Sequence, residues 1–205
     1  AGIGKPILLS TGMNGLDSIA RSVKTISNYN VPLLLMHCTS LYPTPYKDVR
    51  LGGITELIEK FRLPVGISDH SLGIYASLGA TALGACVVEK HFTVSRNWPG
   101  PDVPISIEPH ELSELVKGCQ ILYEARHGGV EVLPEEQSII DFAYSSVVSI
   151  RQIKAGEQFS AENAWVKRPG TGEIAAADLE TLFGKHAAND IPINCQIKKS
   201  DVRSN

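Results

Sequence analysis

The sequence has 205 residues, 43% of them hydrophobic and 20% charged, with a formal net charge of −3. This length suits one large domain or two small ones. It contains no basic run of the kind that binds DNA or RNA, so we expect no nucleic-acid partner. The longest apolar stretch, residues 31–36, is too short to span a bilayer, and no signal peptide is visible. We therefore expect no membrane partner.

The cysteines are widely separated, and none forms a C-x-x-C pair. They are Cys38, Cys86, Cys119 and Cys195. Each has apolar neighbours, among which a free thiol behaves as a small hydrophobic group. We expect neither a disulfide framework nor a cysteine zinc site, and cysteine usage favours a reducing, cytoplasmic location.

From residue 6 to residue 126, short apolar runs alternate with helical patterns. The spacing predicts strands at 6–10, 31–38, 64–68 and 86–92, and helices at 15–28, 53–61, 74–83 and 108–126. Strands that are apolar throughout and separated by helices are typical of a parallel sheet covered on both faces. This part of the chain is therefore predicted to have an α/β fold.

Polar side chains collect at the carboxyl end of each predicted strand. They occupy residues 10–11, 38–40, 68–70 and 89–91. Barrels and doubly wound sheets of the α/β class keep their active sites at this end of the strands. Capping of the following helices is the alternative, but it accounts for serine or aspartate and not for histidines at two strand ends, His70 and His91.

After Gly128 and Gly129 the pattern becomes all-β, with frequent turn residues and an acidic stretch at 134–136. Residues 153–159 and 191–197 show a short internal similarity, because each segment places a turn residue between two apolar anchors. The two turn residues, Gly156 and Asn194, are of types that tolerate positive φ. One short helix is expected at 177–183. We predict a first domain over 1–127, a linker over 128–140 and a β-rich domain over 141–205.

His70 and His91 are the most specific candidates for chemistry. If the third and fourth strands are neighbours, the period of two places Ser68 with His70 on one face and Glu89 with His91 on one face. Two imidazoles and a nearby carboxylate suit manganese, iron or zinc and leave room for water or substrate. A buried or loop histidine without a ligand is the alternative for each residue, and both interpretations stay open on the residues alone.

Two further candidates lie outside the strands. The stiff polar loop 96–102 would present Asp102 to a sugar hydroxyl if it covered the site, and a solvated turn is the alternative. Arg168 suits a carboxylate, phosphate or amide oxygen, or is a plain surface arginine. The sequence has no Walker, dinucleotide-binding or G-x-S-x-G motif, so nucleotide binding and serine hydrolysis are not expected.

Six segments resemble, in order, the sialic acid synthase family, that is, N-acetylneuraminate synthases and their legionaminate relatives. They are LSTGM at 9–13, HCTSLYPTP at 37–45, SDH at 68–70, EKHFT at 89–93, PGPD at 99–102 and KRPGTG at 167–172. The likeness is closest to the bacterial N-acetylneuraminate synthases. It implies the carboxyl-terminal half of a TIM (β/α)8 barrel, followed by a small β-rich antifreeze-like domain (SAF, with a β-clip fold).

The resemblance also implies an activity, the condensation of phosphoenolpyruvate with an N-acetylated hexosamine, typically N-acetylmannosamine, with release of phosphate. His70 and His91 would match the ligands of a divalent metal ion, usually manganese, that polarises the sugar aldehyde. The phosphate of phosphoenolpyruvate would be held by Ser10, Ser40 and Ser68. Ser40 departs from the family pattern, which has Asn at this place.

The remaining implied roles concern the sugar. Tyr42 and Asp102 would contact it, and Arg168 would reach its N-acetyl group from the partner subunit of a domain-swapped homodimer. Glu89 is added from strand alternation alone, as a metal-site or acid group.

The largest departure from the family is length, because a complete barrel has eight βα units and this pattern contains four. We therefore expect a fragment whose open sheet edges oppose full activity on its own. Two alternatives remain. One is a synthase for legionaminate, pseudaminate or another nonulosonic acid, and the other is a non-catalytic carbohydrate-binding or dimerisation module.

Overall fold

The computed structural model describes residues 1–203 and contains two compact units, residues 1–129 and the residues from 130 onward. The first unit alternates strands and helices as the sequence predicts. Its elements are β1 (Ile7–Ser10), α1 (Leu16–Ser27), β2 (Leu33–Cys38), α2 (Gly52–Phe61), β3 (Val65–Asp69), α3 (Tyr75–Ala82), β4 (Val88–Lys90) and α4 (Pro109–Ala125).

The four strands of the first unit form one sheet in the order β1-β2-β3-β4, and every neighbouring pair is parallel. Sequential order is that of an α/β barrel, whereas a doubly wound sheet reverses its order at a switch point. The predicted carboxyl-terminal half of a barrel is thus confirmed.

The core of this unit lies between the sheet and its helices. Leu35, Val65 and Ile67 on the strands pack with Ile54 of α2 and Ala80 of α3, and all five are almost completely buried. Removing this apolar surface from water is the main force that holds the helices on the sheet. The core therefore fixes the strand ends from which the candidate site is built.

The element bounds agree closely with the sequence predictions, with one difference at β4. This strand covers Val88–Lys90 instead of the predicted 86–92. Phe92 lies beyond it and forms an isolated parallel bridge with Ile107. The chain therefore leaves the β3 ladder just before His91.

The second unit is β-rich. It contains α5 (Gln137–Ala143), β5 (Ser146–Ser149), β6 (Ala164–Lys167) and α6 (Leu179–Leu182). Strands β5 and β6 pair in antiparallel fashion, and isolated bridges such as Val148 with Gln196 extend the pairing. The prediction of a small β-rich SAF domain, made from the resemblance, is therefore confirmed.

The two similar segments, residues 153–159 and 191–197, also pair in the structure. Ile153 and Ile191 donate backbone N–H groups to each other's carbonyl oxygens, at 2.9 and 2.8 Å. Gly156 has φ of 83° and Asn194 has φ of 61°, so both turn residues adopt the left-handed conformation. The anchors Phe159 and Ile197 are both buried. Two similar segments thus face each other across the centre of this unit.

The predicted boundary near residue 140 falls within helix α5. The N–H of Gly170 donates to the Asp141 carbonyl at 2.7 Å, and a Cβ on Gly170 would lie 2.7 Å from Cβ of Tyr144. This close approach packs the end of α5 against the rest of the β-rich unit. Residues 204 and 205, the last of the predicted β-rich domain, lie outside the described residues. No helix within residues 1–203 combines the length and apolar character needed to cross a bilayer.

Candidate functional site at the ends of β3 and β4

The parallel register of β3 and β4 brings the two candidate histidines together. Ser68 lies opposite Glu89, one step before both strands end. The Ser68 hydroxyl donates to Oε1 of Glu89 at 2.5 Å, and the ring centres of His70 and His91 lie 5.4 Å apart. These four side chains line one cavity of about 230 Å3 together with Lys90.

His70 is held from several sides. Its ring is buried, and its Nδ1 lies 3.2 Å from the carbonyl oxygen of Thr39. A carbonyl oxygen only accepts hydrogen bonds, so this contact assigns the proton to Nδ1. The lone pair of Nε2 is then available, with the Ser68 hydroxyl 3.4 Å away. The loop after β2 adds a further contact, because the N–H of Thr44 donates to the His70 carbonyl at 2.9 Å.

Tyr42 covers the two histidines. Its ring stacks on His70 at 4.1 Å between ring centres and meets the edge of His91 at 5.9 Å. Partial burial, and after it the nearby acidic groups, raise the pKa of Tyr42 above its ordinary value of 10.0. The phenol therefore keeps its proton at neutral pH and can donate a hydrogen bond.

Asp102 lies beside His91, with its Oδ2 3.9 Å from Nδ1 of that ring. The loop that carries Asp102 begins at Arg96, whose guanidinium binds Glu108 and Glu111 at the start of α4. The Asp102 side chain is 64% exposed, so it is free to meet a ligand in the cavity.

The remaining candidates lie on other elements. Ser10 ends β1 and is exposed, and Ser40 follows β2 and is half-buried. A Cβ on Gly12 would lie 2.4 Å from Oγ of Ser40, so a side chain there would displace the Ser40 hydroxyl. Arg168 is exposed and lies in the second unit directly after β6. The structure thus groups six of the predicted side chains, four of which line the cavity while Tyr42 and Asp102 contact the histidine rings. They are Tyr42, Ser68, His70, Glu89, His91 and Asp102.

The two histidines fit a divalent cation in donor type and spacing. Two imidazole nitrogens that share an ion at roughly 2.1 Å place their ring centres about 4.6 Å apart for a ligand angle of 90° and about 5.3 Å apart for a tetrahedral angle. The observed separation of 5.4 Å is close to the tetrahedral value. A histidine that binds a metal commonly donates its other ring N–H to a backbone carbonyl, as His70 does to Thr39.

Glu89 does not complete a three-ligand group with these histidines. Within residues 1–203, a single group of three side chains has ligand atoms all within 4.8 Å of one another, Glu108, His110 and Glu111. Glu111 caps α4 there through the N–H of Glu108 and also binds Arg96. Glu108 and Glu111 therefore cap α4 and hold the loop through Arg96. A third ligand at the histidine pair would come from substrate or water.

The sequence predictions missed a buried ion pair beside the site. Nζ of Lys90 lies 3.0 Å from Oδ2 of Asp69, and the two side chains are 3% and 1% exposed. Burial lowers the pKa of Lys90, and the charge of Asp69 opposes this effect. Opposite charges next to the two candidate histidines, at the ends of neighbouring strands, were the available signal.

Comparison with known proteins places these features in a family. The NeuB family pattern matches residues 1–131, and the SAF domain pattern matches residues 144–203. An uncharacterized protein of Methanocaldococcus jannaschii is 42% identical over 91% of this chain and 56% of its own length. The N,N'-diacetyllegionaminic acid synthase of Campylobacter jejuni is 40% identical over 93% of this chain and 58% of its own length.

A solved structure agrees. The N-acetylneuraminic acid (sialic acid) synthetase of Leptospira borgpetersenii, in complex with citrate, is 39% identical, with a TM-score of 0.61 over 65% of this chain and 47% of its own. The chain spans a little more than half the length of the curated relatives named above. The NeuB pattern covers well over half of the chain and includes the whole strand-end site. The chain therefore belongs to the NeuB family.

Proposed function

We propose that this chain carries the metal-binding half of a synthase that condenses phosphoenolpyruvate with N-acetylmannosamine, forms N-acetylneuraminate and releases phosphate. The observation that carries the proposal is the pairing of His70 and His91 at one cavity at the ends of β3 and β4, with Tyr42 stacked on His70. Membership of the NeuB family and the activities of the named relatives support the reaction class.

The histidines form the centre of the proposed site. A divalent cation held by His70 and His91, for which we propose manganese, would act as a Lewis acid on the sugar aldehyde. Thr39 keeps the His70 proton on Nδ1, and Tyr42 stacked on the ring keeps the imidazole in one orientation. Both contacts reduce the reorganisation that binding requires.

The polar groups at the strand ends bind the two substrates. Ser68, Ser10 and Ser40 supply hydroxyl donors for the phosphate of phosphoenolpyruvate. Tyr42 and Asp102 both lie beside His91, where each can hydrogen-bond a sugar hydroxyl. Holding both substrates in one orientation converts the carbon–carbon bond formation into an effectively unimolecular step.

Glu89 is proposed as a proton-transfer group. Its carboxylate already accepts the Ser68 hydroxyl proton in a hydrogen bond of 2.5 Å. In the condensation the enol carbon of phosphoenolpyruvate attacks the aldehyde carbon, water adds to the resulting cationic carbon and phosphate leaves. The water loses a proton in this sequence, and the carboxylate of Glu89 at the cavity edge can accept it.

Phosphate release tests the proposal directly. Phosphoenolpyruvate and manganese are supplied with and without N-acetylmannosamine, to this chain alone and to this chain with four further βα units provided as a second polypeptide. Sugar-dependent phosphate release in either preparation, lost on addition of a chelator, is the expected result. Release that is the same without sugar, or none in the completed barrel, would reject the proposed activity.

A legionaminate-type synthase is the second candidate, because the N,N'-diacetyllegionaminic acid synthase of Campylobacter jejuni is 40% identical. The same assay with a 2,4-diacetamido sugar in place of N-acetylmannosamine separates the two. A higher kcat/KM for the diacetamido sugar would assign the protein to that class.

We propose that the protein forms a domain-swapped homodimer, in which Arg168 of one subunit completes the sugar-binding part of the partner's site. Arg168 is exposed and suits an amide oxygen. If Arg168 serves the partner's cavity, mixing an inactive His70→Ala protein with an inactive Arg168→Ala protein restores activity, because one site of the mixed dimer is intact. Mixing without recovery would place Arg168 outside the partner's site.

A further inference from the structure

The buried ion pair of Asp69 and Lys90 lies between the two strands that end at the histidines. Asp69 is the last residue of β3 and Lys90 the last of β4, and they are register partners. Each is followed directly by a histidine of the site. The pair therefore closes the β3–β4 ladder at the point where His70 and His91 leave it.

The carboxylate of Asp69 organises the chain on both sides of His70. Its Oδ1 accepts hydrogen bonds from the N–H of Ser71 at 2.8 Å and from the hydroxyl of Ser71 at 2.7 Å. Its Oδ2 accepts the hydroxyl of Ser77 on α3 at 2.7 Å. Residues 69 and 71 are thus closed into a turn with His70 at its apex, and the turn is attached to a helix.

Lys90 extends these contacts to the second histidine. Besides Asp69, its ammonium group donates to the carbonyl oxygen of Ser71. The residue that precedes His91 is therefore bonded to both residues that flank His70. One cluster thus connects the backbone around the two histidines.

A buried ion pair is weak evidence for stability, because removing two charges from water costs about as much as their attraction returns. What such a pair contributes is geometry, since each charge is satisfied in one arrangement only. On the metal-binding role proposed above, we infer that Asp69 and Lys90 are a positioning pair that sets the separation and orientation of His70 and His91.

The test uses Lys90→Met, which keeps the length of the side chain and removes its charge and its donors. The matched control is Val65→Ala, at the opposite end of β3 and also buried in the same unit. Affinity for manganese alone is measured by electron paramagnetic resonance, and thermal stability is measured in parallel. We expect Lys90→Met to weaken manganese affinity by about 10- to 100-fold. Val65→Ala should change manganese affinity by less than about twofold, although it should lose a similar amount of stability to Lys90→Met.

A second variant guards against unfolding of the single mutant, which leaves Asp69 buried without its partner. In Asp69→Asn with Lys90→Met, both charges are removed together, and such double replacements are better tolerated. The contact from Lys90 to Ser71 is still lost in this protein, so its manganese affinity is expected to fall as in the single variant.

A readout without metal separates this inference from the proposed function. Long-range 1H–15N spectra of histidine rings report the tautomer and order of His70 and His91 in the metal-free protein. Both signals should shift or broaden in the Lys90 variants, while those of His37 stay unchanged. If the parent protein does not bind manganese, the proposed metal site is rejected. The ring spectra still test whether Asp69 and Lys90 position the two histidines. Parent-like spectra and parent-like affinity in both variants would overturn this positioning role.

Discussion

Ser68 and Glu89 share a hydrogen bond of 2.5 Å between Oγ and Oε1, across the paired ends of β3 and β4. The Ser68 hydroxyl, which is proposed to bind phosphate, thus already donates to the Glu89 carboxylate. That carboxylate would repel a phosphate. Binding of the anion therefore requires this contact to rearrange.

Glu89→Gln should therefore bind inorganic phosphate more tightly, by about threefold to fivefold, because one like charge near the anion is removed. Turnover should fall in the same protein, since the amide cannot accept a proton. Calorimetric titration with phosphate and steady-state assays give the two quantities. Glu114→Gln removes an exposed carboxylate from α4 and should change neither. Weaker phosphate binding in Glu89→Gln would show that the carboxylate supports the anion site.

His70→Ala and His91→Ala should each reduce manganese affinity by at least about tenfold, because each removes one of the two proposed ligands. His110→Ala is the informative comparison, since His110 belongs to the other group of potential ligands in the described part of the chain. We expect manganese affinity to be unchanged in that variant, by the same resonance measurement. A loss confined to His110→Ala would move the cation to the start of α4.

Gly66→Ala should destabilise the first unit by about 1–3 kcal/mol through overpacking. A Cβ at this position would lie 2.7 Å from the carbonyl oxygen of Val87, which accepts the N–H of Ile67 and so cannot move freely. Gly52→Ala is the matched control, because its Cβ would meet nothing within 4 Å at the start of α2. Urea unfolding measures both. Equal unfolding free energies for the two variants would contradict the packing argument.

Glu157 makes the second unit sensitive to acid. A hydrogen bond from Arg151, with further ones from Lys154 and Asn163, lowers the pKa of Glu157 from 4.5 to about 2. Because the folded-state pKa is depressed, the contribution of this carboxylate is complete above pH 4.5. It is lost as pH falls toward about 2.

The expected result is that the stability advantage of the parent over Glu157→Gln disappears between these two pH values. Fluorescence of Trp165 in a Trp98→Phe background reports unfolding of the second unit alone, because Trp98 lies in the first. A constant difference between the two proteins from pH 6 to pH 2 would contradict the assignment.

Sequence reasoning placed the elements of the first unit well, because apolar runs and helical spacing are local properties. It was less accurate at β4, where Phe92 pairs with Ile107 instead of extending the strand. The predicted boundary near residue 140 falls within α5, whose end contacts Gly170. The difference at β4 arises from a tertiary contact that no local pattern reports.

The sequence by itself determined the order of strands and helices, the strand ends where polar residues collect, and the paired turns at Gly156 and Asn194. Only the tertiary structure decided which side chains meet. Ser68 reaches Glu89 across 21 residues of chain, and Tyr42 stacks on His70 from a different loop. The physical reason is that such contacts depend on strand register and loop path, which follow from packing of the whole unit.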